Sequence, residues 1–205
     1  MLIKVAELII LALVAYLIGS ISTGYLIVKA KTNQDIRTIG SGSTGATNVK
    51  RVLGKTWFFI VLLLDAIKGA IPVVIAKVLS GYGLIDDKYG IFAVTCAVFV
   101  IIGHSKPIFL QFKGGKSVAS GVGTLIALNP LVGICIAAIW AIITYFSKYV
   151  SLGSIIALGM SPILMYYFKN PIGYVAYCVV AALYIIYLHR ENIQRLIKGE
   201  ENKVR

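Results

Sequence analysis

Seven apolar stretches, at residues 8–28, 56–79, 90–103, 117–128, 131–146, 152–168 and 172–188, are separated by short polar segments. A backbone inside hydrocarbon must satisfy its own hydrogen bonds, and a single segment can do so only as a helix. The sequence therefore predicts one all-α, polytopic integral membrane domain over 1–205. It has about seven transmembrane helices, some short, and a polar tail at 189–205. Apolar residues make up 59% of the chain, above the roughly 45–50% usual in soluble domains. The first stretch exceeds the apolar core of a signal peptide and six more follow, so it is read as a retained span. Cys96, Cys135 and Cys178 each lie in a different stretch. They read as small apolar fillers, and no metal or cofactor is expected.

The stretch 117–128 is the doubtful one, because twelve helical residues reach only ~18 Å against a hydrocarbon core of roughly 30 Å. Charge argues that it still counts. With seven spans, the loops 29–55 and 104–116, Lys148 and the basic tail to Arg205 share one side, leaving Lys4, Lys77, Lys88 and Lys169 on the other. With six, the basic tail moves outside. The positive-inside rule favours seven spans, with the N-terminus outside and the loops cytoplasmic. The net charge of +12 is then accounted for by cytoplasmic loops and an anion site, without nucleic acid.

Three polar, basic segments meet on that cytoplasmic side. The first, 37–51, holds Gly40, Gly42 and Gly45 among Ser41, Ser43, Thr44, Thr47 and Asn48, and ends in Lys50 and Arg51. Glycines let N–H groups turn towards one point, and a helix starting near Thr47 adds its positive end, which suits a phosphate. The competing reading, a flexible linker, has no need of Asn48 and Arg51. The second segment contains Lys113-Gly114-Gly115-Lys116, two ammonium groups around a flexible turn that opens a short helix. The alternative there is a pair of snorkelling cations that set orientation. In the third, His189 and Asn192 share a helix face with Arg195 close by; Arg190 reads as a solvated helix end. Incomplete P-loops at Gly40–Gly45 and Gly115–Ser117 lack their remaining residues and a preceding strand, so a nucleotide hydrolase is excluded.

Asp65 and Lys68 stand three apart inside the second stretch, read first as an ion pair that fixes helix packing. Tyr16, Trp57, Trp140, Tyr145, Tyr166 and Tyr167 are expected as interface anchors or packing. No dyad of carboxylates lies within these three segments, and the only histidines are His104 and His189. Such a site suits a reaction whose leaving group is already good.

At these segments the chain resembles the bacterial acyl-phosphate:glycerol-3-phosphate acyltransferase family over essentially its full length. Gly40–Arg51 (GSGSTGATNVKR), Phe112–Ser120 (FKGGKSVAS) and His189–Leu196 (HRENIQRL) are similar to that family's three cytoplasmic motifs. Ser43 stands where the family usually has Asn, Ser117 where it has Gly and Ser120 where it has Thr. The resemblance implies a seven-span enzyme of the bacterial inner membrane, acting in phospholipid synthesis. The 1-hydroxyl of glycerol 3-phosphate attacks a fatty acyl phosphate, giving lysophosphatidic acid and phosphate. Carried onto this chain, the acyl phosphate is expected at Ser41, Gly42, Ser43, Gly45, Ala46, Thr47 and Asn48, with Lys113, Gly114 and Gly115 adding phosphate contacts. Glycerol 3-phosphate is expected near Arg51, Lys116, His189 and Asn192, the expected catalytic set. Either His189 or a substrate phosphate oxygen takes the proton. Acyl-CoA enzymes often carry His-x-x-x-x-Asp, whereas Phe109 and Gln194 occupy that spacing here, which favours acyl phosphate. Expected partners are membrane lipid and, transiently, the soluble enzyme that makes acyl phosphate. The competing class is a transporter of an organic phosphate or other anion, supported by Asp65 and Lys68 within a span and by the anion-binding loop. Against it, the chain has no inverted repeat and its polar groups crowd one face.

Overall fold

The computed structural model describes residues 2–87 and 89–204, without the side chain of Leu2; Lys88 and Arg205, both used in the charge count, lie outside the described residues. Within them every regular element is helical. The order is α1 (Leu2–Ser20), α2 (Thr23–Thr32), α3 (Ala46–Leu53), α4 (Lys55–Gly81), α5 (Ile91–Ser105), α6 (Val118–Leu128), α7 (Pro130–Ser147), α8 (Val150–Tyr167), α9 (Ile172–Leu188) and α10 (Arg190–Ile197). All seven predicted apolar stretches are helical. Five segments are long and apolar enough to cross a membrane: Ile3–Thr32, Lys55–Gly81, Ile91–Leu110, Pro130–Ser147 and Val150–Tyr167. A sixth forms if α9 and α10, which meet at a 61° bend, count as one. The seventh stretch is the short α6.

The first stretch differs from the expected continuous helix over 8–28: it breaks at Ile21 and Ser22. The cause lies in α4. Lys68 Nζ donates to the Ile21 carbonyl at 2.6 Å, and the Thr23 hydroxyl donates to Asp65 at 2.6 Å. A break frees a carbonyl, and a buried ammonium needs one.

Helix α6 is wedged against α4, where backbones touch. A Cβ on Gly123 would run into the Ala66 carbonyl, and one on Gly69 into the backbone of Ser120. Small residues permit this close approach. Its C-terminal carbonyls at Ala127 and Leu128 accept from Lys77 Nζ at 2.9 and 3.2 Å, so an ammonium caps a helix that stops short. Asn129 then caps α7 by accepting from the Val132 N–H at 3.2 Å, with Pro130 at the first helical position.

The larger core is formed by α1, α4, α5, α6, α7, α8 and α9, and includes Cys96 and Cys178 as buried free thiols; a smaller core of Val28, Ile36, Ala46, Val49, Phe58 and Val61 sits under α3. Outward faces remain apolar, for example Ile9, Ile10 and Leu13 on α1 and Leu63, Ile67 and Ile71 on α4. In water these would be adhesive patches; in a bilayer they are the surface that meets lipid.

Candidate active site

The predicted loop is built on one buried amide. Asn48 Nδ2 donates to the carbonyls of Ile39 at 2.8 Å, Ser43 at 3.0 Å and Ile36 at 3.2 Å, while its Oδ1 accepts from the Ser41 N–H at 3.1 Å. It is 1% exposed. Gly40 and Gly42 turn the chain at φ 62 and 67°, where glycine carries no steric penalty. Asp35 caps the preceding turn and binds the Arg37 guanidinium, which reaches the Leu110 carbonyl at 3.0 Å and ties the loop to the α5–α6 connection. The Arg37 guanidinium holds the Asp35 carboxyl below its ordinary range. Gly45 then opens α3, whose first N–H groups, on Ala46 and Thr47, have no carbonyl one turn back within the helix. Both residues line a cavity of ≈ 810 Å³.

The cavity gathers side chains from across the chain. Ser41 and Ser43 enter from the loop, Arg51 from α3, Lys116 from the turn before α6, His189 from the bend between α9 and α10, and Asn192 and Arg195 from α10. Lys116 Nζ donates to Asn192 Oδ1. Burial, and then the nearby Arg195 cation, push the Lys116 ammonium down from its ordinary pKa, so an anion arriving there relieves a desolvated charge. His189 Nδ1 lies 2.8 Å from the Ile185 carbonyl. A carbonyl can only accept, so that nitrogen carries the hydrogen and Nε2 presents a lone pair. Burial pushes the imidazole down to about 4, which keeps it neutral near pH 7.

The structure does not bring every expected site residue to the cavity. Lys113 is exposed and does not line the cavity, and neither do Gly114 and Gly115. Their N–H groups do not converge on an anion: Gly114 donates to the Ser105 carbonyl at 3.2 Å and Gly115 to that of His104 at 3.1 Å. These glycines are there for space. A Cβ on Gly114 would strike the His104 carbonyl, and one on Gly115 would land on His104 Nε2. Asn48 organises the loop with its side chain fully engaged. Gly42, one of the expected phosphate contacts, lies outside the lining and donates to the Ile39 carbonyl.

Sequence reasoning missed Glu201. The tail folds back, and the Glu201 carboxylate accepts from Asn192 Nδ2 at 2.6 Å, Arg195 Nε at 2.8 Å and Ser151 Oγ at 2.8 Å. Burial opposes its ionisation, but these donors outweigh burial and hold its carboxyl below the ordinary range. Spacing gives no way to prefer it over Glu200. Trp140, expected as an anchor or packing residue, packs against both cores and also lines both the polar cavity and an adjoining apolar groove of ≈ 440 Å³ between α4, α6 and α7. Leu62, Val118 and Ala119 are shared by both, so the polar chamber and the apolar groove lie side by side.

A sequence signature described as glycerol-3-phosphate acyltransferase matches residues 9–199. The chain is 41% identical to the glycerol-3-phosphate acyltransferase of Clostridioides difficile, over 98% of this chain and 97% of the relative. It is 44% identical to that of Syntrophotalea carbinolica, over 95% and 96%. The fold superposes, at a TM-score of 0.88 and 37% identity, on the crystal structure of PlsY, described as an integral membrane glycerol 3-phosphate acyltransferase, in its glycerol 3-phosphate form. The match covers 97% of this chain and 96% of that one. A lysophosphatidic acid form of the same protein gives 0.85 and 36%. Full-length likeness in both sequence and fold places this chain in the glycerol-3-phosphate acyltransferase family, as an integral membrane member.

Proposed function

We propose that the protein moves a fatty acyl group from acyl phosphate to the 1-hydroxyl of sn-glycerol 3-phosphate, releasing lysophosphatidic acid and phosphate. The site faces the cytoplasm of a bacterial plasma membrane. The carrying observation is adjacency: Arg51, Lys116 and Arg195 converge with the open end of α3 in one cavity that shares a wall with an apolar groove. Two phosphate headgroups and one acyl chain need that combination. The transporter alternative is weakened, because Asp65 and Lys68 are bonded to each other and to the break between α1 and α2.

The acyl phosphate sits with its phosphate at Ser41, Ser43 and Gly45–Thr47, and its chain in the groove beside Trp140. Glycerol 3-phosphate sits near Arg51, Lys116 and Asn192. Its 1-hydroxyl attacks the acyl carbonyl carbon, the acyl–phosphate bond breaks, and inorganic phosphate leaves. Cations and helix N–H groups stabilise the charge gathering on the leaving phosphate, so catalysis is electrostatic and positional. His189 Nε2 accepts a hydrogen bond from the attacking hydroxyl and orients it. The proton goes to a phosphate oxygen, because a phosphate whose second pKa is about 6 is a stronger base than this imidazole.

The test uses purified protein in detergent with glycerol 3-phosphate and either palmitoyl phosphate or palmitoyl-CoA. Equal amounts of lysophosphatidic acid and phosphate from acyl phosphate alone are expected. Product from the thioester alone, or from neither donor, would contradict the proposal.

A further inference from the structure

The loop and the Lys116 turn are separate in sequence, yet the reaction needs them at a fixed distance. One buried cluster touches the supports of both. Asp65 and Lys68, 1% and 6% exposed, pair at 2.8 Å on the face of α4 that meets the break between α1 and α2. On one side, Asp65 accepts from the Thr23 hydroxyl, and the next residue, Gly24, packs on the backbone of Thr44 inside the glycine-rich loop. On the other side, His104 Nδ1 lies 3.7 Å from Asp65 and 3.2 Å from the Ser120 hydroxyl. The ring of His104 fills the space left by Gly115, directly before Lys116, and its carbonyl holds the Gly115 N–H. Lys68 locks the break by donating to Ile21.

We infer that Asp65, with Thr23, Lys68 and His104, is a positioning device that sets the separation between the loop and Lys116, and so the alignment of the two substrates. It rests on the two-phosphate reading of the cavity given above. Each half-site keeps its own phosphate contacts when the device is loosened. What is lost is the relative placement of hydroxyl and carbonyl, and a misplacement of about 1 Å costs on the order of 100-fold in rate. The signature is therefore a fall in kcat with KM for both substrates nearly unchanged. A purely structural ion pair would instead lower stability, and activity only in proportion to folded protein.

The experiment compares Thr23→Val, Thr23→Ser, Asp65→Asn and the reciprocal Asp65→Lys/Lys68→Asp, each in the full-length protein. It reads kcat, both KM values and the thermal midpoint in detergent. Thr23→Val should lower kcat by about tenfold or more with both KM values within about twofold, and Thr23→Ser, which keeps the hydroxyl, should restore kcat. The charge swap should recover thermal midpoint relative to Asp65→Asn without recovering kcat, because it rebuilds the pair but not the bonds to Thr23 and Ile21. Should Asp65→Asn not fold, the Thr23 pair decides alone. An active wild type whose Thr23→Val variant keeps its kcat, or raises one KM at unchanged kcat, overturns the device. A wild type that transfers no acyl group from any donor overturns the two-phosphate reading, and the device with it.

Discussion

Gly40–Arg51 and Lys113–Lys116 look alike in sequence, since each sets glycines beside cations just before a helix. The structure uses their glycines in opposite ways. In the first, Gly40 and Gly42 bend the chain at positive φ, and Gly45 opens α3 towards the cavity with N–H groups to offer. In the second, Gly114 and Gly115 have their N–H groups bonded to Ser105 and His104, and serve by lacking a side chain. One is a cradle built from backbone; the other is a hinge pin that delivers a single ammonium. A glycine beside a lysine therefore signals either free donors or close packing, and only the neighbouring element distinguishes them.

The widest gap between the two segments should come from cations at the cavity. Arg51→Ala is expected to lower kcat/KM by about 100-fold with the fold retained, the scale of one lost transition-state donor. Circular dichroism and steady-state kinetics on the same preparation check it. The glycines come next. Gly115→Ala forces a methyl into the His104 ring and should destabilise by ~1–3 kcal/mol, the usual cost of overpacking. Gly45→Ala meets only Ser43 Oγ, at 3.6 Å, and should leave stability within ~0.5 kcal/mol while altering kinetics. Thermal midpoints of the pair, compared with their activities, separate packing from binding. Asn48→Ala should cost ~1–3 kcal/mol, because the Ser43 carbonyl and the Ser41 N–H lose their partner and the Ile36 and Ile39 carbonyls lose one of two donors.

Acid provides a smaller test of the third segment. Folding holds His189 neutral down to about 4, whereas in the unfolded chain it takes its proton near 6.5. Below about 6.5 the unfolded state binds the extra proton, so stability falls as pH drops towards about 4 and this contribution then levels off. The thermal midpoint of the wild type should fall more steeply between those values than that of His189→Gln. A small net effect on stability is expected at Ser117. Its φ of 59° carries a cost of ~1–2 kcal/mol that glycine would relieve, but its hydroxyl donates to the Ile101 carbonyl at 2.7 Å. Ser117→Gly should therefore shift stability by no more than ~1 kcal/mol.

Much of this architecture was legible because apolar length and charge asymmetry are local properties of the chain. The helices over 56–79, 90–103 and 131–188 fall within a few residues of their predicted bounds. The break at Ile21 was overlooked: the run Gly19-Ser20-Ile21-Ser22-Thr23-Gly24 is a weak turn signal inside an otherwise apolar stretch, and the partner that holds the break, Lys68, stands 47 residues away. The convergence of His189, Asn192 and Arg195 was readable from helical spacing. The anchoring of Asn192 and Arg195 by Glu201 was not, because it depends on a tail that reverses direction. Gly114 and Gly115 misled for the same reason: the atoms that define them belong to α5.

The most direct test of the contrast between cradle and pin is Lys113→Ala against Lys116→Ala, assayed with glycerol 3-phosphate and palmitoyl phosphate. Lys116→Ala should lose about 100-fold in kcat/KM or more, and Lys113→Ala should stay within about twofold of wild type, in line with an exposed surface charge. Equal losses in both variants, or near-normal turnover in Lys116→Ala, would contradict a turn that delivers one ammonium to the phosphates.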